Sequence, residues 1–69
     1  MPRRIKIERQ KRGWSCSDVA EKVGVNPETI RMIEVGKRDP SYKILIKLLD
    51  LFEYDNPRTL FAEVDVDNR

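Results

Sequence analysis

The stretch SCSDVAEKVGVNPETIRMIE, residues 15–34, carries the strongest local signals in this 69-residue chain. Ser15 and Asp18 have capping-box spacing, in which the hydroxyl accepts a first-turn amide and the carboxylate accepts the Ser15 amide. Gly24 predicts the end of that helix, because glycine adopts the left-handed conformation of a helix C-terminus without a Cβ clash. A helix is therefore predicted from about residue 16 to 23.

A second helix is predicted from Pro27 to about residue 35. Asn26 is the expected N-cap, with its amide oxygen as acceptor, and Pro27 the expected first residue, because its missing N–H would be unpaired there anyway. Ile30 and Ile33 fall on one side of this helix. Two short helices joined by a tight turn, residues 16–35, are typical of segments that enter a DNA major groove.

Positions along most of the chain resemble the helix-turn-helix domain of the phage repressor and Cro type. The resemblance covers roughly residues 5 to 61 and is carried by these residues: Arg9, Gly13-Trp14-Ser15, Val19-Ala20, Gly24-Val25, Ile30, Ile33-Glu34, Gly36-Lys37 and Pro40-Ser41. It implies an all-α fold, a compact bundle of five short helices of the lambda repressor-like DNA-binding type. It also implies a structural ion pair between Arg9 and Glu34, and the alternative role for Arg9 is a direct contact to DNA.

Length and composition limit the function classes. Sixty-nine residues allow one domain with a modest core, which favours self-association. Hydrophobic residues make up 39% and charged residues 38%, a balance typical of a small soluble domain rather than a disordered or membrane protein. No apolar run reaches membrane-spanning length and no signal peptide is evident, so a cytoplasmic protein is expected.

Catalysis and metal binding have no support in the sequence. With one cysteine, Cys16, and no histidine, the chain offers no internal disulfide, no Cys/His zinc cluster and no histidine-dependent nucleophile. No glycine-rich phosphate loop occurs either. We expect no enzyme activity, no cofactor and no small-molecule ligand.

Charge is unevenly distributed. Residues 1–47 have a balance of +6 and residues 48–69 a balance of −4, which together give the net charge of +2. An oriented field of this kind suits a protein that approaches a polyanion with one face. The alternative interpretation is a solvated surface with chance asymmetry.

The outward residues of the second helix are the candidate base-reading residues: Pro27, Glu28, Thr29, Arg31 and Met32. Glu28 can accept a hydrogen bond from cytosine N4, or it can form an ordinary helix-surface pair with Arg31. Arg31 can donate to guanine or to a phosphate, whereas Thr29 and Met32 can contact thymine methyl groups. Pro27 can supply only an apolar contact.

Phosphate contacts are predicted at two places. Ser15 and Cys16 begin a helix whose first amides can bind a phosphate, although Cys16 stands where the resemblance implies a phosphate-binding glutamine. Lys37 and Arg38 lie in the loop of residues 35–41, where contacts would fix register without reading sequence. The alternative for Lys37 and Arg38 is a solvated loop.

The remaining segments are predicted to support this motif. A first helix is expected over residues 3–12, packed less deeply than in relatives because Glu8 replaces a leucine common in the family, with Ile7 exposed or covered by a neighbouring subunit. Trp14 is expected in the core or beside it. The region of residues 42–62 should supply two more helices for the core and for dimerisation. Residues 62–69 could be a short strand or a frayed terminus, and the predicted dimer interface consists of Phe52, Leu60, Phe61 and Val64.

These observations predict a sequence-specific regulator of transcription that binds double-stranded DNA. We expect a repressor that acts as a homodimer on an inverted-repeat operator. The alternative is a protein-interaction module, such as an antitoxin-like partner that binds another protein through its C-terminal segment. The acidic terminus and the apolar residues within 57–66 motivate that alternative.

Overall fold

Five helices make up the regular structure of residues 2–64, which are the residues that the computed structural model describes. This arrangement confirms the predicted all-α fold. The helices are α1 (Arg4–Lys11), α2 (Cys16–Val23), α3 (Pro27–Glu34), α4 (Tyr42–Phe52) and α5 (Pro57–Leu60). None of them is both long enough and apolar enough to cross a membrane.

The boundaries of α2 follow from local hydrogen bonds. The Ser15 hydroxyl accepts from the Asp18 amide at 3.0 Å, and the Asp18 carboxylate accepts from the Ser15 amide at 2.8 Å, so the capping box is present. Gly24 ends α2 with a φ of 81°. That left-handed conformation turns the chain sharply towards α3.

The start of α3 differs from the prediction in one respect. Asn26 is the N-cap residue, but its side chain makes no capping hydrogen bond. Only its backbone carbonyl takes part, accepting from the amides of Thr29 and Ile30. Pro27 at the first position already removes one amide that would need an acceptor, so the helix begins without the side-chain cap.

The core is built from one apolar face of each helix. Its innermost side chains are those of Ile5, Val19, Val23, Ile30, Ile33, Leu48, Phe52 and Leu60, each no more than 2% exposed. Trp14 packs beside them, with its ring centroid 5.8 Å from that of Phe52. The core positions α3 by its inner face and leaves its outer face at the surface.

Two of the residues predicted at the dimer interface are inside the subunit instead. Phe52 is 1% exposed and Leu60 is fully buried. A domain of this size has few large apolar side chains, and these two are needed to fill its own core. Phe61 and Val64 are half-buried and retain exposed surface.

The expectation of a shallow first helix was wrong. Glu8 is only 7% exposed, because its carboxylate accepts hydrogen bonds of 2.8 Å from both the Arg12 guanidinium and the Tyr54 hydroxyl. Those bonds, Arg12 first, hold the pKa of the Glu8 carboxyl below its ordinary value of 4.5. The Glu8 carboxylate can therefore lie on the inward side of α1, because Arg12 and Tyr54 compensate its charge. Ile7 beside it is half-buried.

The two ends of the described chain pair with each other. An antiparallel bridge joins Arg3 and Glu63, flanked by hydrogen bonds from Arg4 N to Ala62 O at 2.8 Å and from Val64 N to Pro2 O at 2.9 Å. Residues 62–64 therefore pair as an extended segment. The rest of the predicted strand or frayed end, residues 65–69, lies outside the described residues.

Candidate nucleic-acid interface

The outer face of α3 presents the candidate base-reading residues together. Ile30, Ile33 and Glu34 are buried, which turns the opposite side of the helix to solvent. Pro27, Glu28 and Arg31 are exposed there, and Met32 is half-buried. Thr29 is also half-buried and lines a groove between α3 and residues 38–41.

Glu28 and Arg31 form an ion pair on this face. The two side chains are 58% and 57% exposed. An exposed ion pair of this kind is worth about 0 to 1 kcal/mol, whereas a bidentate arginine contact to guanine contributes about 1 to 3 kcal/mol of discrimination. The pair is therefore weak enough for Arg31 to exchange the Glu28 carboxylate for another acceptor.

A second, largely buried ion pair fixes the far end of α3. Arg9 donates to both oxygens of the Glu34 carboxylate, through Nε at 2.6 Å and Nη2 at 3.1 Å. Its Nη1 donates to the carbonyl of Trp14 at 2.8 Å. The side chains are 12% and 3% exposed, so this arginine joins α1, the segment before α2 and the end of α3 in one hydrogen-bonded unit.

Cys16 is half-buried and lies beside the same unit. Its Sγ lies 3.9 Å from Glu34 Oε1. Burial, and then the nearby Glu34 carboxylate, raises the pKa of the Cys16 thiol. The thiol is therefore directed towards Glu34, and the predicted phosphate contact of Cys16 stays a prediction in which its backbone amide is the better donor. Ser15 is exposed, and its hydroxyl still has a proton to donate after accepting from Asp18.

The turn after α3 carries the other two candidate phosphate ligands. Lys37 and Arg38 are both exposed. Gly36 has a φ of 84°, and the Lys37 amide donates to the carbonyl of Met32 at 3.0 Å, which closes the end of the helix. Lys37 and Arg38 therefore lie in the turn that directly follows α3.

Sequence reasoning missed the contact between Arg3 and Asp39. Arg3 Nη2 donates to Asp39 Oδ1 at 2.8 Å, across a separation of 36 positions in the chain. No local pattern links residues so far apart, and only the paired chain ends bring them together.

The helix-turn-helix family matches residues 5–55 of this chain. The chain belongs to that family. The match runs from the second residue of α1 to beyond the end of α4, and it contains the ion pair of Arg9 and Glu34 and the outward face of α3. The resemblance to the phage repressor and Cro type is thereby confirmed.

Relatives and solved structures agree with this assignment. An uncharacterized HTH-type transcriptional regulator of Methanocaldococcus jannaschii is 38% identical over 52 residues, which cover 75% of this chain and 79% of the relative. The restriction-modification controller protein C.AhdI from Aeromonas hydrophila superposes with a TM-score of 0.71 at 28% identity, covering 84% of this chain and 86% of that one. The N-terminal DNA-binding domain of SinR from Bacillus subtilis gives a TM-score of 0.69 at 34% identity, with 87% of both chains covered.

This helix-turn-helix protein is a DNA-binding transcriptional regulator and not an enzyme. SinR has also been solved in complex with DNA. The family assignment therefore supports double-stranded DNA as the ligand class.

Proposed function

We propose that the protein is a repressor that binds an inverted-repeat operator as a homodimer, with the outward face of α3 in the major groove. The observation that carries the proposal is the arrangement of α3 and the turn after it. The apolar face of α3 is buried, the opposite face with Arg31 is exposed, and the turn that follows has two exposed cations. Because a regulator of this kind acts on DNA, we expect it to act in the cytoplasm.

In this proposal the two groups of residues have different tasks. Glu28, Arg31 and Met32, with Pro27 and Thr29 beside them, would contact base edges. Lys37 and Arg38, together with Ser15 and the first amides of α2, would contact phosphates and set the orientation of α3.

Dimerisation is proposed because one subunit offers a short reading surface. The described chain measures 34 × 23 × 22 Å, so two subunits in contact can hold equivalent helices about one DNA turn, roughly 34 Å, apart. Phe61 and Val64 are the members of the predicted interface that retain exposed surface. They are three positions apart near the C-terminal end of the described chain, where residues 62–64 pair with residues 2–4.

Two substitutions distinguish base reading from phosphate contact. A duplex is first enriched by the wild-type protein from a random-sequence pool. Arg31→Ala should lower affinity by about 1 to 3 kcal/mol and relax preference at one position, whereas Lys37→Ala should weaken all sequences about equally and reduce the salt slope by about 1. Lys47→Ala, which removes an exposed cation from α4, is the matched control. Unchanged affinity in both test variants would show that another face binds DNA.

The homodimer is tested with Val64→Asp. This variant should sediment as a monomer at concentrations where the wild type is dimeric, because a charge on the interface must be desolvated. It should also lose the extra affinity for an inverted repeat over a single half-site, while half-site affinity stays unchanged. An unaltered preference for the inverted repeat would contradict the proposed interface.

A further inference from the structure

We propose that Arg3 is a positioning residue for the turn of residues 36–39, which it holds so that Lys37 and Arg38 face DNA phosphates. The inference rests on the proposed function, because it concerns the same DNA-binding surface. It adds a residue that lies behind that surface and acts on it through the turn.

Arg3 contacts both ends of the turn. Its backbone amide donates to the carbonyl of Glu34, the last residue of α3, at 2.8 Å. Its guanidinium donates to the Asp39 carboxylate at 2.8 Å and lies 3.5 Å from the carbonyl oxygen of Arg38. Between these points, a Cβ placed on Gly36 would lie 3.8 Å from Arg3 Nε, so the side chain runs along the inside of the turn.

Arg3 is largely buried, whereas its partner in the turn is exposed. Its side chain is 16% exposed, whereas that of Asp39 is 84% exposed. The guanidinium carbon lies 5.8 Å from the centre of the Phe61 ring, an arrangement that covers its other side. Arg3 is thus fixed between the C-terminal segment and the turn, whereas Lys37 and Arg38 within the turn are exposed.

The contacts need the geometry of arginine. The guanidinium reaches a carboxylate and a backbone carbonyl with two separate nitrogens while its central carbon lies over an aromatic ring. A lysine ammonium is a single point charge and cannot maintain that set of directions. Arg3→Lys should therefore restore only part of the function lost in Arg3→Gln.

The direction in which an Asp39 substitution changes DNA affinity distinguishes a positioning role from a purely electrostatic one. An exposed carboxylate beside Lys37 and Arg38 repels DNA phosphates, so electrostatics alone predicts that Asp39→Ala tightens binding. The positioning role predicts the opposite, because the turn loses the partner that ties it to Arg3. Asp39→Asn, which keeps an acceptor oxygen, should lie between the wild type and Asp39→Ala.

The experiment measures affinity for the duplex enriched by the wild type, by fluorescence anisotropy at one salt concentration. Arg3→Gln and Asp39→Ala should each weaken binding on the order of three- to tenfold. Neither should cause a further loss when Lys37 and Arg38 are both alanine, because the effect passes through those cations. Asp50→Ala, which removes an exposed carboxylate from α4, is the control and should leave affinity unchanged.

Two results would overturn the positioning role. Tighter binding by Asp39→Ala would show that Asp39 acts only by its charge. A full loss for Arg3→Gln on top of the Lys37→Ala/Arg38→Ala background would show that Arg3 binds DNA itself. Thermal unfolding of each variant checks the fold, and Asp39→Ala suffices if Arg3→Gln does not fold. Undiminished binding by the Lys37→Ala/Arg38→Ala protein would instead refute the proposed DNA surface, on which this inference depends.

Discussion

At the scale of single residues, Glu34 is the most constrained side chain next to the proposed DNA surface. Its carboxylate is almost fully buried and depends on Arg9 for charge compensation. Removing one member of a buried ion pair leaves an uncompensated charge, which is strongly destabilising, whereas replacing both members by apolar residues is often tolerated.

Arg9→Met should therefore lower the free energy of unfolding by about 3 to 5 kcal/mol, measured by urea denaturation. The combined variant Arg9→Met/Glu34→Leu is the matched comparison and should recover much of that loss. If the combined variant is as unstable as the single one, the loss comes from packing around Arg9 and not from the stranded carboxylate.

Glu8 predicts a dependence of stability on pH. Its folded-state pKa is lowered, chiefly by the Arg12 hydrogen bond and next by that of Tyr54, so the ionised form stabilises the fold above the ordinary value of 4.5. That contribution disappears as pH falls from 4.5 through the lowered pKa. Glu8→Gln should therefore unfold more easily at neutral pH, by about 1 to 2 kcal/mol, and should show a weaker loss of stability in acid.

The measurement for Glu8 is the urea midpoint as a function of pH, with Glu21→Gln as the control. Glu21 is an exposed carboxylate on α2. The control should follow the wild-type curve. A Glu8→Gln curve parallel to the wild type below pH 4.5 would show that other carboxylates determine the acid sensitivity.

At the scale of elements, the end of α4 differs from the ends of α2 and α3. Glu53 follows α4 with a φ of 61°, and among the described residues it is the one non-glycine position with a positive φ. Side chains at such positions pay a steric penalty of about 1 to 2 kcal/mol, which glycine avoids. α2 and α3 are followed by Gly24 and Gly36, so the strain is confined to α4.

Glu53→Gly should therefore raise the free energy of unfolding by about 0.5 to 1 kcal/mol, after allowance for the greater freedom of glycine in the unfolded chain. The measurement is thermal or urea unfolding. Glu21→Gly, within α2, should lose about 1 kcal/mol under the same conditions. A destabilised Glu53→Gly protein would show that the Glu53 side chain makes a contribution larger than its backbone strain.

At the scale of the whole molecule, the short chain closes by pairing its two described ends. The pairing of residues 2–4 with 62–64 brings Arg3 next to Phe61 and to the turn after α3. The proposed dimer surface, formed by Phe61 and Val64, is therefore adjacent to the residue that supports the proposed phosphate contacts.

The proposed homodimer predicts that thermal stability depends on protein concentration. Anything that binds only the folded state raises the unfolding midpoint by mass action, and here the ligand is a second subunit. The midpoint of the wild type should rise with protein concentration in a calorimetric or circular dichroism series. That of Val64→Asp should not, and a constant wild-type midpoint would contradict dimerisation over the range measured.

The sequence alone determined the helix-turn-helix, because its signals act over a few residues. The Ser15–Asp18 capping box, the left-handed Gly24 and the Pro27 start each set a helix boundary locally, and the spacing of Ile30 and Ile33 decided which face of α3 turns inward. The pairing of Arg9 with Glu34 came from the family resemblance rather than from any local rule.

The tertiary structure decided which residues are buried in the core and which lie behind the proposed DNA-binding surface. It buried Phe52 and Leu60, compensated Glu8 with Arg12 and Tyr54, and placed Arg3 behind the turn that ends at Asp39. Each of these outcomes depends at least partly on side chains that are distant in sequence. Helical periodicity states which face a residue occupies, but burial and partner depend on what the rest of the chain packs against that face.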